Sequence, residues 1–204
     1  MENLGLEKAG VEYDKDNGIK INPKCQTTNS NIYAVGDCCT KLQFTHMAYK
    51  MGEIAVLNSL VFGSRKWTDL LVPRVTYTDP EVAQIGLNTG ELEAEGKKFD
   101  TYTHLMKDNE RAICDGEEKG FTKIFTEKNS GKILGSVIVA GRAGEMLNEI
   151  TLAMKHKISI GSLGDLIAPY PSYGESIMFA GRQFNQKYSK SKLGFIRKIL
   201  SMKR

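Results

Sequence analysis

IYAVGDC, residues Ile32–Cys38, ends a run of apolar residues abruptly at a glycine followed by an acid. The apolar run predicts a short buried strand at Ile32–Val35. Gly36 permits a tight turn and a close approach of the backbone, so Asp37 follows the carboxyl end of the strand. Ligands of open α/β sheets bind at that edge, where a carboxylate can accept hydrogen bonds from ligand hydroxyls. A strand and turn with no ligand explains so short a motif about equally well.

The size and composition of the chain limit its class. Its 204 residues suffice for one or two compact domains, and 41% hydrophobic with 25% charged content is typical of soluble globular proteins. No apolar run approaches the roughly 18 residues of a membrane span, and we expect no secretory leader. The four cysteines form neither CxxC nor CxxxxC, and two are adjacent. We therefore expect no disulfide framework, no metal site and a cytoplasmic location.

The net charge of +4 is unevenly distributed. Seven basic residues and no acid lie from Lys187 onward, which leaves 21 basic and 24 acidic residues for the rest of the chain. The body is therefore slightly acidic, and we expect no nucleic-acid partner. The basic tail, residues 187–204, has apolar residues at helical spacing. Such a helix could rest on an anionic membrane surface, and a solvated or frayed terminal helix is the alternative.

Residues 1–70 have the pattern of αβ material. Strands are predicted at Gly18–Pro23 and Ile32–Val35, and a helix from about Phe44 to Val61. The apolar stripe of that helix consists of Ala48, Met51, Ala55, Asn58 and Leu60. The segment Trp67–Pro73 is the predicted junction, because Pro73 cannot continue a central strand.

Residues 71–186 have an α+β pattern. The predicted strands are Val75–Tyr77, Val82–Ile85, Phe99–Met106, Gly120–Thr126 and Ile133–Val139, with a hairpin turn at Asn129–Gly131. The predicted helices are Thr89–Glu95, Glu145–His156 and Tyr173–Gln186. The apolar face of the second helix consists of Met146, Leu147, Ile150, Ala153 and Met154.

Two longer patterns resemble one enzyme family. Gln26–Thr28, Ile32–Cys38 and Thr45–Ala48 together resemble the second flavin-contacting motif of the FAD-dependent pyridine nucleotide-disulfide oxidoreductases. VPRVTYTDPEVAQIGL, residues Val72–Leu87, resembles the start of that family's interface domain, which has the pattern P-x-x-x-[FY]-T-x-P-E-x-x-x-x-G. The matching residues are Pro73, Tyr77, Thr78, Pro80, Glu81 and Gly86. The resemblance extends from Asn3 to about Gln186.

The resemblance implies an α+β fold. Residues 71–186 would be the C-terminal interface (dimerisation) domain, an antiparallel sheet flanked by helices, which forms a homodimer. Residues 1–70 would be a partial α/β segment of the nicotinamide- and FAD-binding domains. The implied cofactor contacts are Gly36, Asp37, Thr45, His46 and Ala48. Asp37 would bind the ribityl or phosphate region of FAD.

Other parts of the family pattern are missing. Family members have two GxGxxG turns and a redox CxxxxC, and this sequence has none of the three. It therefore resembles only the C-terminal portion of a larger flavoprotein. Met1 is then expected to lie within a longer chain, with a stand-alone short protein as the alternative. We expect this portion to be inactive alone and not to retain FAD, and NAD(P)H to bind to a domain outside it.

The segment APYPSYGESI, residues Ala168–Ile177, corresponds to the family's His-Pro-x-x-x-Glu. By resemblance Tyr170 and Glu175 are the catalytic candidates, and they complete the active site of the partner subunit. A phenol with a reference pKa of about 10 is a poorer base near neutral pH than an imidazole at about 6.5. Mercuric reductases also have tyrosine here, but they normally carry a cysteine pair near the C-terminus, and the tail of this sequence has none. The alternative is that Tyr170 packs in a turn and Glu175 caps the next helix.

Two function classes remain open from the sequence. The first is the dimerisation part of a FAD- and NAD(P)H-dependent oxidoreductase that acts on a sulfur group and a small-molecule substrate, mercuric reductase-like in its tyrosine. The second is a non-catalytic homodimeric interaction module, with possible membrane-surface contact through the tail. None of the three histidines has ligand spacing to a carboxylate or thiol, so we predict no metal.

Overall fold

The chain divides into two compact units, Met1–Val72 and Pro73–Arg204. The computed structural model describes residues 3–61 and 63–201, and only the backbone of residues 190–201. In the first unit, β1 (Tyr13–Asp14) and β2 (Gly18–Ile19) form an antiparallel hairpin. Asp14 closes its turn, because one carboxylate oxygen accepts the backbone N–H groups of Asp16 at 2.9 Å and Asn17 at 2.7 Å. The predicted strand at Gly18–Pro23 is therefore shorter, with one further bridge at Ile21.

The strand predicted at Ile32–Val35 does not form in the described residues, so that prediction was wrong. The segment meets Cys25–Thr27 through the backbone, with Thr27 N–H donating to Ile32 at 2.9 Å and Ala34 N–H donating to Cys25 at 3.0 Å. The result is an isolated bridge between Gln26 and Tyr33. A parallel strand needs a neighbour brought by a crossover, and the described residues of this unit provide none.

Helix α1, Thr45–Leu60, confirms the predicted helix to within one residue at each end. Its buried face consists of Met47, Met51, Ile54, Ala55 and Asn58. The predicted stripe was wrong for Leu60, which is 76% exposed, because two residues beyond Asn58 a helix has turned about 200°. The buried face packs into a core with Val11, Ile19, Cys25, Ala34 and Cys39. Asn58 donates to the carbonyls of Lys24 and Arg65 and so ties the helix end to the loops.

The described residues of the second unit form a five-stranded antiparallel sheet in the order β3-β4-β7-β6-β5. Its strands are β3 (Arg74–Thr76), β4 (Glu81–Gly86), β5 (Phe99–Leu105), β6 (Phe121–Glu127) and β7 (Ile133–Ala140). Alternate residues such as Ala83, Ile85 and Ile138 are buried, as the alternating sequence predicted. This confirms the α+β interface domain with an antiparallel sheet.

The described residues form six α-helices, and five of them lie in the second unit: α2 (Thr89–Ala94), α3 (Glu110–Asp115), α4 (Ala143–Lys155), α5 (Ile160–Gly164) and α6 (Glu175–Ser201). Helix α4 packs on β4 and β7, and α6 packs on β5 and β6. Helix α4 buries Met146, Leu147, Ile150 and Ala153, as predicted, and leaves Met154 half-buried. The short helices α3 and α5 were not predicted.

The spaced motif at residues 73–86 has a structural explanation. Glu81 accepts the backbone N–H of Gly144 at 2.9 Å, which satisfies a free donor in the first turn of α4. Thr78 donates its hydroxyl to the Pro80 carbonyl at 2.8 Å and so shapes the turn before β4. Gly86 has φ +64°, and a Cβ there would lie 2.4 Å from the Leu134 carbonyl oxygen. The motif therefore specifies how the β3–β4 hairpin contacts α4 and β7.

Helix α6 begins at Glu175, two residues after the predicted start, and continues beyond the predicted Gln186. Gly181 allows a backbone-to-backbone contact with α5, since a Cβ at that position would lie 2.4 Å from the Gly164 nitrogen. Ser176 and Thr122 share a buried 2.7 Å hydrogen bond that fastens the helix to β6. Further along, Lys187 pairs with the buried Asp100 of β5 at 3.2 Å.

The membrane contact predicted for the basic tail lies outside the described side chains, which end at residue 189. Within the described ranges, none of the helices combines the length and the apolar character needed to cross a membrane.

Candidate functional site

A cleft beside Asp37 is the first candidate site. Gly36–Cys38 forms a 3₁₀ turn, and Asp37 is exposed on it. The cleft has a volume of about 190 Å³ and is lined by Lys15, Asp16, Asn17, Gly18, Asp37, Cys38, Thr40, Lys41 and Gln43. Carboxylates that accept hydrogen bonds thus stand beside lysines that attract anions. This arrangement suits a ligand with both hydroxyls and acidic groups.

The turn at Gly36 packs directly on the first turns of α1. Gly36 has φ +75°, and a Cβ there would lie 2.8 Å from the Ala48 Cβ. The structure therefore brings together Gly36 and Ala48, two of the residues that the resemblance implies as cofactor contacts. A larger residue at either Gly36 or Ala48 would separate the turn from the helix.

The start of α1 has the polarity expected of a site for negative charge. Thr45 and His46 are exposed in its first turn, and the His46 ring stacks on Phe44 at 5.3 Å. In the described residues no side chain caps this start, and the first turn contains no acidic residue. The positive end of the helix dipole is thus open to a phosphate or carbonyl group. These residues fit the polar parts of FAD.

The thiols near the cleft differ in exposure. Burial raises the pKa of Cys25 to about 11, and burial together with Cys38 raises the pKa of Cys39 to about 12. Both thiols are therefore protonated near neutral pH and behave as small buried groups. Cys38 is exposed and lines the cleft. Across the side chains that the structure describes, no group of three or more histidine, cysteine, aspartate or glutamate residues is arranged to hold a metal ion.

The second candidate site is the loop between α5 and α6. Tyr170 is 70% exposed and Ile167 is 99% exposed, so both project from the surface of this unit. Glu175 is buried at the start of α6 and accepts the backbone N–H of Ser172 at 3.0 Å. Among the described residues, no hydrogen bond joins Tyr170 to Glu175. The observed contact is the one expected if Glu175 caps the helix and shapes the loop.

Residues that the sequence analysis missed hold this loop in place. Asn109 caps α3 by accepting from the Ala112 N–H, and its amide also donates to the Ser172 carbonyl at 3.1 Å. The Tyr173 hydroxyl lies 3.1 Å from a carboxylate oxygen of Asp115 and 3.1 Å from one of Glu117, so its single proton can be donated to either acid. Burial and these two carboxylates raise the pKa of Tyr173, which stays protonated. The capping signal of Asn109 is local in sequence, whereas the contacts of Tyr173 span more than fifty residues.

The other two histidines are His104, which packs against an aromatic ring, and His156, which ends a helix. His104 of β5 stacks on Phe179 of α6 at 5.0 Å, and burial lowers its pKa. His156 is the exposed C-cap of α4.

Both units match known protein families. Residues 72–180 match the family described as "Pyridine nucleotide-disulphide oxidoreductase, dimerisation domain". Residues 1–52 match "Pyridine nucleotide-disulphide oxidoreductase". The first match covers the whole sheet and the loop with Tyr170, and the second covers the cleft and the start of α1.

Individual relatives agree with this result. A mercuric reductase of Acidithiobacillus ferrooxidans is 32% identical over 183 residues, which are 90% of this chain and 33% of the relative. A dihydrolipoyl dehydrogenase of Mycoplasma pneumoniae is 34% identical over 173 residues, 84% of this chain and 38% of the relative.

Solved structures show the same fold. The crystal structure of LpdA from Mycobacterium tuberculosis aligns with TM-score 0.81 and 30% identity, and the match covers 89% of this chain and 40% of LpdA. The HOCl-induced flavoprotein disulfide reductase RclA of Escherichia coli aligns with TM-score 0.78 and 25% identity, over 85% of this chain and 40% of RclA. The chain thus spans between about a third and two fifths of the relatives it matches. It belongs to the pyridine nucleotide-disulphide oxidoreductase family, and residues 72–180 are its dimerisation domain.

Proposed function

We propose that this chain is the C-terminal, homodimer-forming part of a FAD- and NAD(P)H-dependent oxidoreductase that is similar to mercuric reductase. The observation that supports this most strongly is the loop at Ala168–Glu175, where an exposed tyrosine occupies the position of the family's imidazole. Mercuric reductases are among the relatives that match across most of the chain. In the intact protein, bound FAD would supply the transfer of electrons between NAD(P)H and a dithiol.

The residues of the first unit would bind and orient the flavin nucleotide. The Asp37 carboxylate accepts hydrogen bonds from ribityl hydroxyls, while Lys15 and Lys41 attract the phosphates. The open start of α1 at Thr45 and His46 stabilises a negative or carbonyl oxygen. The contact between Gly36 and Ala48 keeps the turn and the helix start together, so both can contact one ligand.

The residues of the second unit would complete the active site of a partner subunit. Tyr170 can donate a hydrogen bond from its hydroxyl, whereas a phenol is a poor general base near neutral pH because its reference pKa is about 10. Glu175 fixes the loop through Ser172 and so positions Tyr170. Such a site suits an acceptor that reacts with a thiolate without a general acid, such as a soft metal ion. Such a site is less suited to the reduction of a disulfide to two thiols, because that reaction takes up protons.

Proposed flavin contact can be tested by adding excess FAD to the isotopically labelled chain and recording amide chemical shifts. We expect weak binding, with shifts at Gly36–Cys38 and Thr45–Ala48, that is lost in Asp37→Ala and kept in the control Asp69→Ala. Shifts confined to other residues would contradict the proposed site.

The enzyme and the non-catalytic interaction module can be separated by the coding sequence. An in-frame continuation upstream of Met1 with GxGxxG and CxxxxC supports the enzyme, whereas a stop codon followed by a ribosome-binding site supports the module. The purified chain alone should not oxidise NADPH in the presence of FAD and Hg²⁺ faster than free FAD does. Faster oxidation would contradict the proposed dependence on residues outside this chain.

A further inference from the structure

Helix α6 is longer than its place in the dimerisation domain requires. The family match of the second unit ends at residue 180, whereas α6 runs from Glu175 to Ser201. Of its 27 residues, the 21 at positions 181–201 therefore lie beyond the match. Packing within the dimerisation domain does not account for this length.

The middle of α6 is fixed on the sheet. The Phe184 ring contacts Tyr102 of β5 at 5.7 Å and Tyr188 at 4.4 Å between ring centroids. Lys187 pairs with the buried Asp100 of β5 at 3.2 Å. Beyond these contacts the backbone remains helical as far as Ser201, about three and a half turns further.

The end of α6 and the residues after it are strongly basic. From Lys187 onward the sequence has seven lysine or arginine residues and no acid, whereas the rest of the chain has 21 basic and 24 acidic residues. Lys187 pairs with Asp100 of the sheet. The other six, for which this segment contains no acid, are Lys190, Lys192, Arg197, Lys198, Lys203 and Arg204. The positive charge of the chain is thus concentrated where α6 continues past the sheet.

Large apolar residues recur in the same segment at helical spacing. They are Leu193, Phe195, Ile196, Ile199 and Leu200. At 3.6 residues per turn these five positions span an arc of about 160° around the helix, and Lys190, Arg197 and Lys198 stand about 120° or more from its centre. Lys192 is the exception within the arc, and a lysine at a bilayer surface can extend its charge to the headgroups. The segment is therefore both basic and amphipathic.

This combination selects among the possible partners. Nucleic acid is bound by basic residues at its phosphates and does not call for five large apolar residues in one arc. A second copy of the same segment would bring like charges together. The surface of an anionic bilayer meets both properties, because its headgroups attract the basic residues and its interfacial layer takes up the apolar ones.

We propose that the C-terminal part of α6, residues 190–201, binds the surface of a bilayer that contains anionic phospholipids. The helix lies along the membrane plane, with the arc of Leu193, Ile196 and Leu200 towards the acyl chains and Arg197 and Lys198 towards the lipid phosphates. This contact is independent of the flavin contact and of the homodimer. It would hold the oxidoreductase at an anionic membrane surface.

Binding of the full chain to vesicles tests the charge requirement. Cosedimentation is measured with vesicles of phosphatidylcholine alone and of phosphatidylcholine mixed with phosphatidylglycerol. We expect binding to the mixed vesicles to be at least about tenfold tighter and to weaken as salt is added. The double variant Arg197→Glu/Lys198→Glu should lose at least about tenfold in affinity for the mixed vesicles. Lys107→Glu/Lys119→Glu, the same charge change at two exposed lysines of the second unit, should stay within about threefold of wild type.

A second pair of variants tests the apolar requirement. Ile196→Asn should weaken binding by about tenfold, because it removes apolar area from the membrane contact. Ile113→Asn, at an isoleucine of α3 that is 47% exposed, should have little effect.

Phe195→Trp reports the contact without removing it. Its tryptophan emission should shift to shorter wavelength on addition of the mixed vesicles, relative to the wild type, whose single tryptophan is Trp67. Equal binding to both kinds of vesicle, full binding by Arg197→Glu/Lys198→Glu or by Ile196→Asn, or no emission shift would each overturn the proposal. Binding to duplex DNA without binding to the mixed vesicles would overturn it in favour of a nucleic-acid contact.

Discussion

The Glu81 carboxylate accepts the backbone N–H of Gly144 at 2.9 Å, which joins the first residue of β4 to the first turn of α4. The two residues are 63 positions apart in the sequence. The acid also lies at the positive end of the helix dipole, so charge and hydrogen bonding act in the same direction.

Removal of this cap should destabilise the second unit. Glu81→Ala should lower the free energy of unfolding by about 1 kcal/mol, the usual effect of losing an N-terminal cap. Glu81→Gln keeps an oxygen acceptor and should lose less. Urea denaturation measures both, with the exposed Glu93→Ala as the control. A loss in Glu93→Ala equal to that in Glu81→Ala would show that the contact with Gly144 is unimportant.

Alanine substitutions at two glycines allow the cost of a positive φ to be measured apart from the cost of a steric clash. Gly86 and Gly96 both have φ +64°, but a Cβ at Gly86 would lie 2.4 Å from the Leu134 carbonyl oxygen, whereas among the described residues no atom lies within 4 Å at Gly96. Gly96→Ala should therefore destabilise by about 1 kcal/mol from the unfavourable φ alone. Gly86→Ala should destabilise by clearly more, because β4 and β7 must also separate. Thermal unfolding of the two variants makes the comparison, and equal losses would contradict the close approach.

The pH dependence of stability should include a contribution from Asp100. Burial opposes its ionisation, but hydrogen bonds from Lys128, Asn129 and Lys187 outweigh burial and lower the pKa of Asp100 to about 2. Because the folded-state pKa lies below the unfolded value of about 3.8, this contribution is present above pH 3.8 and is lost as the pH falls towards 2.

Asp100→Asn measures that contribution. The difference in free energy of unfolding between wild type and variant should be largest at pH 5 to 7 and should shrink as the pH falls from about 4 to about 2. Asp165→Asn, which keeps an oxygen acceptor for Asn185, serves as the control. A wild-type advantage that stayed constant over this range would show that the ion pairs do not depress the pKa of Asp100.

Tyr170 and Glu175 should differ in their effect on stability. Tyr170→Phe should change the free energy of unfolding by less than about 0.5 kcal/mol, because the side chain is exposed. Glu175→Ala should destabilise by about 1–2 kcal/mol, because the Ser172 N–H loses its acceptor. Chemical denaturation of both variants decides this. A large loss in Tyr170→Phe would mean that the hydroxyl has a structural partner and is not free to face a second subunit.

The sheet of the second unit could be predicted because each strand alternates and each turn has its own signal, as at Asn129–Gly131. Helix α4 was equally clear, since its inner face is apolar at helical spacing. The strand predicted at Ile32–Val35 failed because an extended apolar segment becomes a strand only beside a neighbour, and the sequence does not state which neighbour is available. The helices α3 and α5 have only six and five residues, too few for periodicity to show, whereas the equally short α2 was predicted from the glycine that closes it, Gly96.

The candidate sites were predicted to different extents. The approach of Gly36 to Ala48 follows from two residue types that leave room for each other, and the motif indicated both. The role of Glu175 could not be derived from spacing alone, because a carboxylate three residues after Ser172 can either cap the helix or orient Tyr170. The contacts of Tyr173 with Asp115 and Glu117 depend on the complete fold and had no local signal.

We propose that this chain supplies a dimerisation surface and a flavin contact to a larger oxidoreductase. Sedimentation equilibrium of the purified chain at micromolar concentration, without FAD, tests it most directly. We expect a particle of twice the chain mass, with a dissociation constant that FAD does not change. A single species of one chain mass, with and without FAD, would contradict the account.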